Sequence, residues 1–220
     1  MSDTTSYDKS WDPDESWETE YSLEDIITKY ANETTIRGAD KASLDMPHFP
    51  ENLRRAMEYI HKICSVRVKS ESGSEYYRHP NYPEIYMGMF EAGFATVTGM
   101  PQIKRMRARR INLLMDDDHP RSTTVRGWSP VYLPSYVDNR RLHIRLLVVQ
   151  VAKLRDLADD LQVSTGTIGI IVLAAALTMS GTWFEMDKRL TARYVANAEK
   201  CVQSFVEYTK ERLYGPDGKQ

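Results

Sequence analysis

Arg141, His143 and Arg145 occupy alternate positions of one short segment, with Leu142, Ile144 and Leu146 between them. That period belongs to a β-strand with one face wet and the other buried. The wet face would carry two guanidinium forks, whose donors match O6 and N7 of guanine. Between them lies an imidazole that at neutral pH can donate or accept a hydrogen bond. A second group, Ser164, Thr165, Gly166 and Thr167, stands just before an apolar run. There the free N–H groups of a helix start, together with hydroxyls, could hold an anion such as a backbone phosphate. A third is the set of five basic residues between Lys104 and Arg110, followed by five more between Arg121 and Arg145. Lys104, Arg107 and Arg140 are the members placed to reach phosphates, although a basic helix is equally a solvated face or a mate for an acidic segment.

Other chemistry finds little support. Asp116, Asp117, Asp118 and His119 are metal-capable, but consecutive side chains do not converge on one point, and the run reads as a helix end and a polar turn. His48, His61, His79, His119 and His143 follow no pattern. There is no nucleotide-binding glycine loop, no metal-ligand spacing and no carboxylate pair on adjacent turns beyond ordinary surface groups. Neither an enzyme, a cofactor nor a bound metal is expected.

The elements that would position these groups follow from the periodicity. After the alternating strand the spacing becomes helical. Val148, Val151, Leu154, Leu157, Ala158 and Leu161 form an apolar stripe opposite Lys153, Arg155, Asp156, Asp159 and Asp160. Gln162 and Val163 break the run and Ser164 offers an N-cap hydroxyl. The helix that follows, to Met179, is apolar nearly all round and so calls for burial. Strand, helix, turn and buried helix hold too little core to stand alone, so this unit, residues 140–180, requires a partner.

Elsewhere the chain reads as mainly α. Residues 1–20 are acidic, aperiodic and tail-like, with Tyr7, Trp11 and Trp17 as possible anchors for a protein partner. Residues 21–139 form a mainly helical region. Its helices are expected at Ser22–Tyr30, Glu51–Ile63, Pro83–Thr96 and from Pro101, and regular structure is expected to stop at Pro47-His48-Phe49-Pro50. Val66 and Val68 alternate with Arg67 and Lys69 as a short strand, and a loop is expected from there to Pro83. A strand followed by a helix makes residues 65–97 a possible degenerate second copy of the 140–180 unit. A long packing helix, 181–213, is marked by Met186, Leu190, Tyr194, Ala198, Cys201, Val202, Phe205 and Val206. The net charge of −2 neither demands nor excludes nucleic acid. Cys64 and Cys201 lack metal spacing, no secretory segment is seen, and the longest apolar run is too short for a bilayer, so a cytoplasmic protein without a membrane partner is expected.

The segment from about 140 to 179 resembles the ribbon-helix-helix family of DNA-binding proteins. The resemblance rests on Leu142-His143-Ile144-Arg145-Leu146, on Leu154, Leu157, Ala158 and Leu161, on Gln162-Val163-Ser164, and on Ile168 with the apolar helix to Leu177. Departures are Gln162, where the family's turn usually has glycine, and Leu147, where proline is common after the strand. The resemblance covers about forty residues. It implies a two-stranded ribbon, built by a homodimer or by two units of one chain, that enters the major groove of double-stranded DNA with Arg141, His143 and Arg145 toward the bases. The corresponding role is that of a transcriptional regulator, such as a repressor, or of a plasmid or viral accessory factor. Two alternatives stand beside it. One is a dimeric structural or protein-interaction module. The other is a helix-turn-helix over the same residues, although its second helix would offer a groove almost no polar face.

Overall fold

The structure is a computed structural model that describes residues 23–32, 40–70, 72–114, 140–178 and 188–214. It is mainly helical. In chain order it comprises α1 (Leu23–Asn32), β1 (Lys41–Phe49), α2 (Glu51–Ile63), β2 (Val66–Lys69), β3 (Glu75–Arg78), α3 (Tyr82–Gly99), α4 (Pro101–Leu114), β4 (Arg140–Leu147), α5 (Val148–Leu161), α6 (Thr165–Thr178) and α7 (Lys188–Tyr214). The acidic tail, the run Asp116–His119, the segment 120–139 and Met186 lie outside the described residues.

β4 finds its partner within the same chain. It pairs antiparallel with β1, with Ser43 opposite Arg145, Leu44 opposite Ile144 and Asp45 opposite His143. The register shifts between Met46 and Phe49. One expectation is thereby corrected, and the short strand at Val66–Lys69 is placed elsewhere. Regular structure does not stop at Pro47, because in a two-stranded ribbon each strand has a free edge, and the missing N–H of Pro47 falls at the irregularity, where a ladder bond is not needed. Nor is Val66–Lys69 the mate of β4. It pairs with Glu75–Arg78 in a separate hairpin, so part of the expected loop before Pro83 is a strand. Gly73, at φ +82, turns the chain between them. The far edge of β2 is covered by Asn32 at the end of α1, whose amide donates to the Arg67 carbonyl at 2.8 Å while its oxygen accepts from the Lys69 N–H at 2.9 Å.

The chain therefore runs strand, helix, helix twice. The first run is β1, α2 and α3, with the β2–β3 hairpin inserted between its helices; the second is β4, α5 and α6. The second helices pack face to face, α6 also packs under β1, and α3 packs under β4. Each strand is thus backed by the helix of the other run, and the two share one core. The strand–helix–helix order that parallels residues 140–178 spans 41–99, not 65–97.

α3 and α6 cross closely. A Cβ built on Gly93 would lie 1.9 Å from the carbonyl oxygen of Val172 and 3.0 Å from the amide nitrogen of Ala176. Only a residue without a side chain lets the two backbones approach so far. α6 is buried at every position from Gly166 to Leu177, as its all-round apolar sequence requires. α7 covers its outer side through Ala198, Cys201 and Phe205, continued by the buried Thr209. Tyr194, Val202 and Val206 of the expected stripe are only half-buried. α4 lies on α3, α5 and α7, and Ile103 and Met106 are its buried contacts.

The turn between α5 and α6 bends the chain by 107°. Gln162 adopts the left-handed conformation there, at φ 54 and ψ 46, and the Val163 N–H reaches back to the Ala158 carbonyl at 3.0 Å. This is the closure that helices usually make with glycine. On α5 the expected stripe is buried from Val151 to Leu161, but Val148 is exposed together with Val149. Both stand in the first turn, at the rim of the ribbon, before the helix reaches the core. Gln150 anchors that turn: its side-chain oxygen accepts from the Leu147 N–H at 3.3 Å, and its amide donates to Met87 O at 3.0 Å and to the Tyr30 hydroxyl at 3.2 Å. No single described helix is long and apolar enough to cross a membrane.

Candidate nucleic-acid interface

The two faces of the β1–β4 ribbon differ sharply. Inward point Leu44, Met46, Ile144 and Leu146, all buried, with Ala42 and Leu142 half-buried. Outward point Ser43, Asp45, Arg141, His143 and Arg145. Arg141, His143 and Arg145 are exposed, as the alternation in the sequence demands, and the helices behind the ribbon hold the strands in register. The centre of the outward face is the facing pair Asp45 and His143, flanked on one side by Ser43 with Arg145.

Asp45 changes the electrostatics of this face. Its carboxylate accepts from Nε of Arg141 at 2.6 Å and makes a second contact with the other arm of the fork. The Arg141 guanidinium holds the Asp45 carboxyl below the usual carboxylate range. Both partners remain open to water, with 71% of the Arg141 side chain and 36% of the Asp45 side chain accessible, so solvent screens the pair and either could exchange it for another partner. Ser43 and Asp45 belong to this face as fully as the residues of β4. The signal for them was the alternation of Ser43 and Asp45 with Ala42, Leu44 and Met46, cut short in the sequence by Pro47.

The phosphate-facing candidates divide. Ser164 is exposed, and its Oγ accepts from the Thr167 N–H at 3.1 Å as an N-cap. Thr165 is half-exposed. Thr167 is buried, its hydroxyl 2.7 Å from Ser164 Oγ, so it serves the cap and is withdrawn from any external anion. The start of α6 lies against β1: a Cβ on Gly166 would be 2.8 Å from the Asp45 carbonyl oxygen. The ribbon and the Ser164 cap are thereby brought together. Arg107 donates from Nε to Asp160 at 2.8 Å, tying α4 to the last turn of α5. It is a structural ion pair before it is anything else. Lys104 is exposed on α4, and the Arg140 side chain lies outside the described residues. Among the described residues no group of His, Cys, Asp and Glu could hold a metal ion, and no buried side-chain nitrogen or oxygen lacks a partner.

α6 is the second helix of the sequence's helix-turn-helix alternative. Its burial leaves it no face to lay in a groove. No protein-family model, curated protein or solved structure matches the chain.

Proposed function

We propose that the chain is a sequence-specific double-stranded DNA-binding protein that lays its β1–β4 ribbon in the major groove, acting as a transcriptional regulator or as an accessory factor of a plasmid or virus. The observation that carries this reading is an antiparallel two-stranded ribbon whose inner face is apolar and whose outer face exposes Arg141, His143 and Arg145. A two-stranded ribbon fits the major groove, and these side chains can address base edges there. The strand–helix–helix order present twice, with the second helices packed together, supports a ribbon-helix-helix arrangement completed inside one chain. Ser164 and Thr165, beside the ribbon, suit a phosphate at its margin.

Arginine side chains on a strand also serve protein contacts, and the Asp45–Arg141 pair favours a second reading, an interaction module with no nucleic-acid role. Filter binding or gel shift on random duplex DNA over a salt series separates the two. Each arginine that makes a bidentate base contact contributes about 1–3 kcal/mol, so the Arg141→Ala/Arg145→Ala protein should lose most of its specific affinity. If that double variant folds normally and binds duplex DNA as tightly as the parent, the ribbon is not the reading surface.

A further inference from the structure

The two strands of the ribbon are not copies of each other. About the central pair Asp45 and His143, a two-fold rotation would carry Ser43 onto Arg141 and Asp45 onto His143, while Arg145 would fall at the irregularity of β1 beside the exposed Pro47. None of these positions preserves chemistry. One half of the outer face offers two guanidinium forks and an imidazole. The other offers a hydroxyl, a carboxylate and a proline ring, which has no donor at all.

Recognition of palindromic DNA mirrors two-fold symmetry in the protein, with identical side chains presented to identical half-sites. Resting on the DNA-binding reading above, we infer that a single copy of this chain engages a non-palindromic duplex site. The symmetry is broken in the half addressed by β1. Arg145 and Arg141 have the fork for guanine O6 and N7, whereas Asp45 is an acceptor only and can be satisfied by a cytosine N4 amino group. Asp45 also grips Arg141 across the ribbon through Nε at 2.6 Å and the second guanidinium arm. Open to water as it is, the pair biases the direction in which that fork points and leaves both groups able to exchange onto DNA. Two further features make the single copy sufficient. Both strands come from one chain, and α6, which would otherwise expose an apolar surface for a second copy, is buried from Gly166 to Leu177.

The test is selection from a random duplex library with the full chain, followed by titration of the selected duplex at concentrations well above its dissociation constant. The expected result is a motif without two-fold symmetry, saturated by one chain per duplex. Duplexes in which either half is duplicated as an inverted repeat should bind about 5- to 150-fold more weakly, the range for one lost base contact. In a repeat selection, Arg145→Ala should relax positions in one half of the motif only, and Asp45→Ala should relax positions in the other half and at the contact made by Arg141. A palindromic motif saturated by two chains overturns the inference and leaves DNA binding standing. So does duplex binding with no motif. Failure to bind any duplex at low salt overturns the functional reading itself.

Discussion

Replacing Gly93 by alanine sets two known effects against each other at one position. In a helix interior, alanine is favoured over glycine by about 1 kcal/mol. Against this, the new methyl would sit 1.9 Å from Val172 O, 2.8 Å from the carbonyl carbon and 3.0 Å from Ala176 N. Non-bonded carbon contacts are comfortable at roughly 3.5 Å, and the obstacle is helix backbone, which cannot rotate away as a side chain would. α3 and α6 must separate by more than about 1 Å. A gap of that size forfeits roughly a quarter to a half of the dispersion energy along the contact, beyond the usual overpacking cost of about 1–3 kcal/mol. Sterics win, with an expected net loss of about 3 kcal/mol and a fall in Tm of about 6–12 °C for a chain of this size. Gly99, the last residue of α3, has no atom within 4 Å of its built Cβ, so Gly99→Ala is the matched control and should be neutral or stabilising by up to about 1 kcal/mol. Urea unfolding followed by circular dichroism reads both. A Gly93→Ala protein as stable as its parent would refute the close crossing, and with it the argument that α3 and α6 hold the two strands together.

Gln162→Gly should stabilise the fold by about 0.5–1 kcal/mol, because a side chain in the left-handed region is disfavoured and glycine is not; an unchanged or lower urea midpoint would contradict that turn. Burial pushes the Cys201 thiol up to about 12, and Cys64 is buried as well, so a thiol reagent at pH 8 should label neither cysteine until denaturant is added. Rapid labelling of Cys201 in native protein would show that α7 does not cover the core. Arg141 lowers the Asp45 carboxyl, so the pair contributes its stability above the ordinary carboxylate range, near pH 4, and loses it as pH falls through the depressed value. Asp45→Asn should flatten that acid limb of the stability profile, and an identical limb in the variant would rule the pair out as its source.

The second strand–helix–helix run was legible in the sequence because each part carried its own period. Alternation marked Leu142, Ile144 and Leu146, the spacing of three and four marked α5, and the all-round apolar run announced a buried α6. The first run was obscured by two local features. Pro47 interrupts the alternation of β1, and the inserted β2–β3 hairpin separates α2 from α3, so Val66–Lys69 looked like the missing strand. Periodicity states which face of a strand is apolar but contains nothing about which strand it pairs with. The helices behind the paired strands, α3 and α6, meet at Gly93, a long-range fit invisible to local pattern. The outer face was legible for the same reason in half only. Arg141, His143 and Arg145 were read from β4, whereas Ser43 and Asp45 could be assigned to it only once β1 was known to lie alongside. The Thr167 hydroxyl looked available in the sequence and is taken up by the cap of its own helix.

Pairing Leu44 with Ile144 has a consequence for how the chain is made. About a hundred residues separate the partners, and at a synthesis rate of about 5–20 residues per second β1 emerges roughly 5–20 s before the strand it needs. Throughout that interval β1 is an unmatched edge with Leu44 and Met46 uncovered, the kind of segment that recruits other nascent chains. Lys41, Asp45 and Pro47 are the residue types that blunt such an edge. The proline that hides β1 from sequence patterning is also of a type that disfavours pairing with other chains before β4 is made.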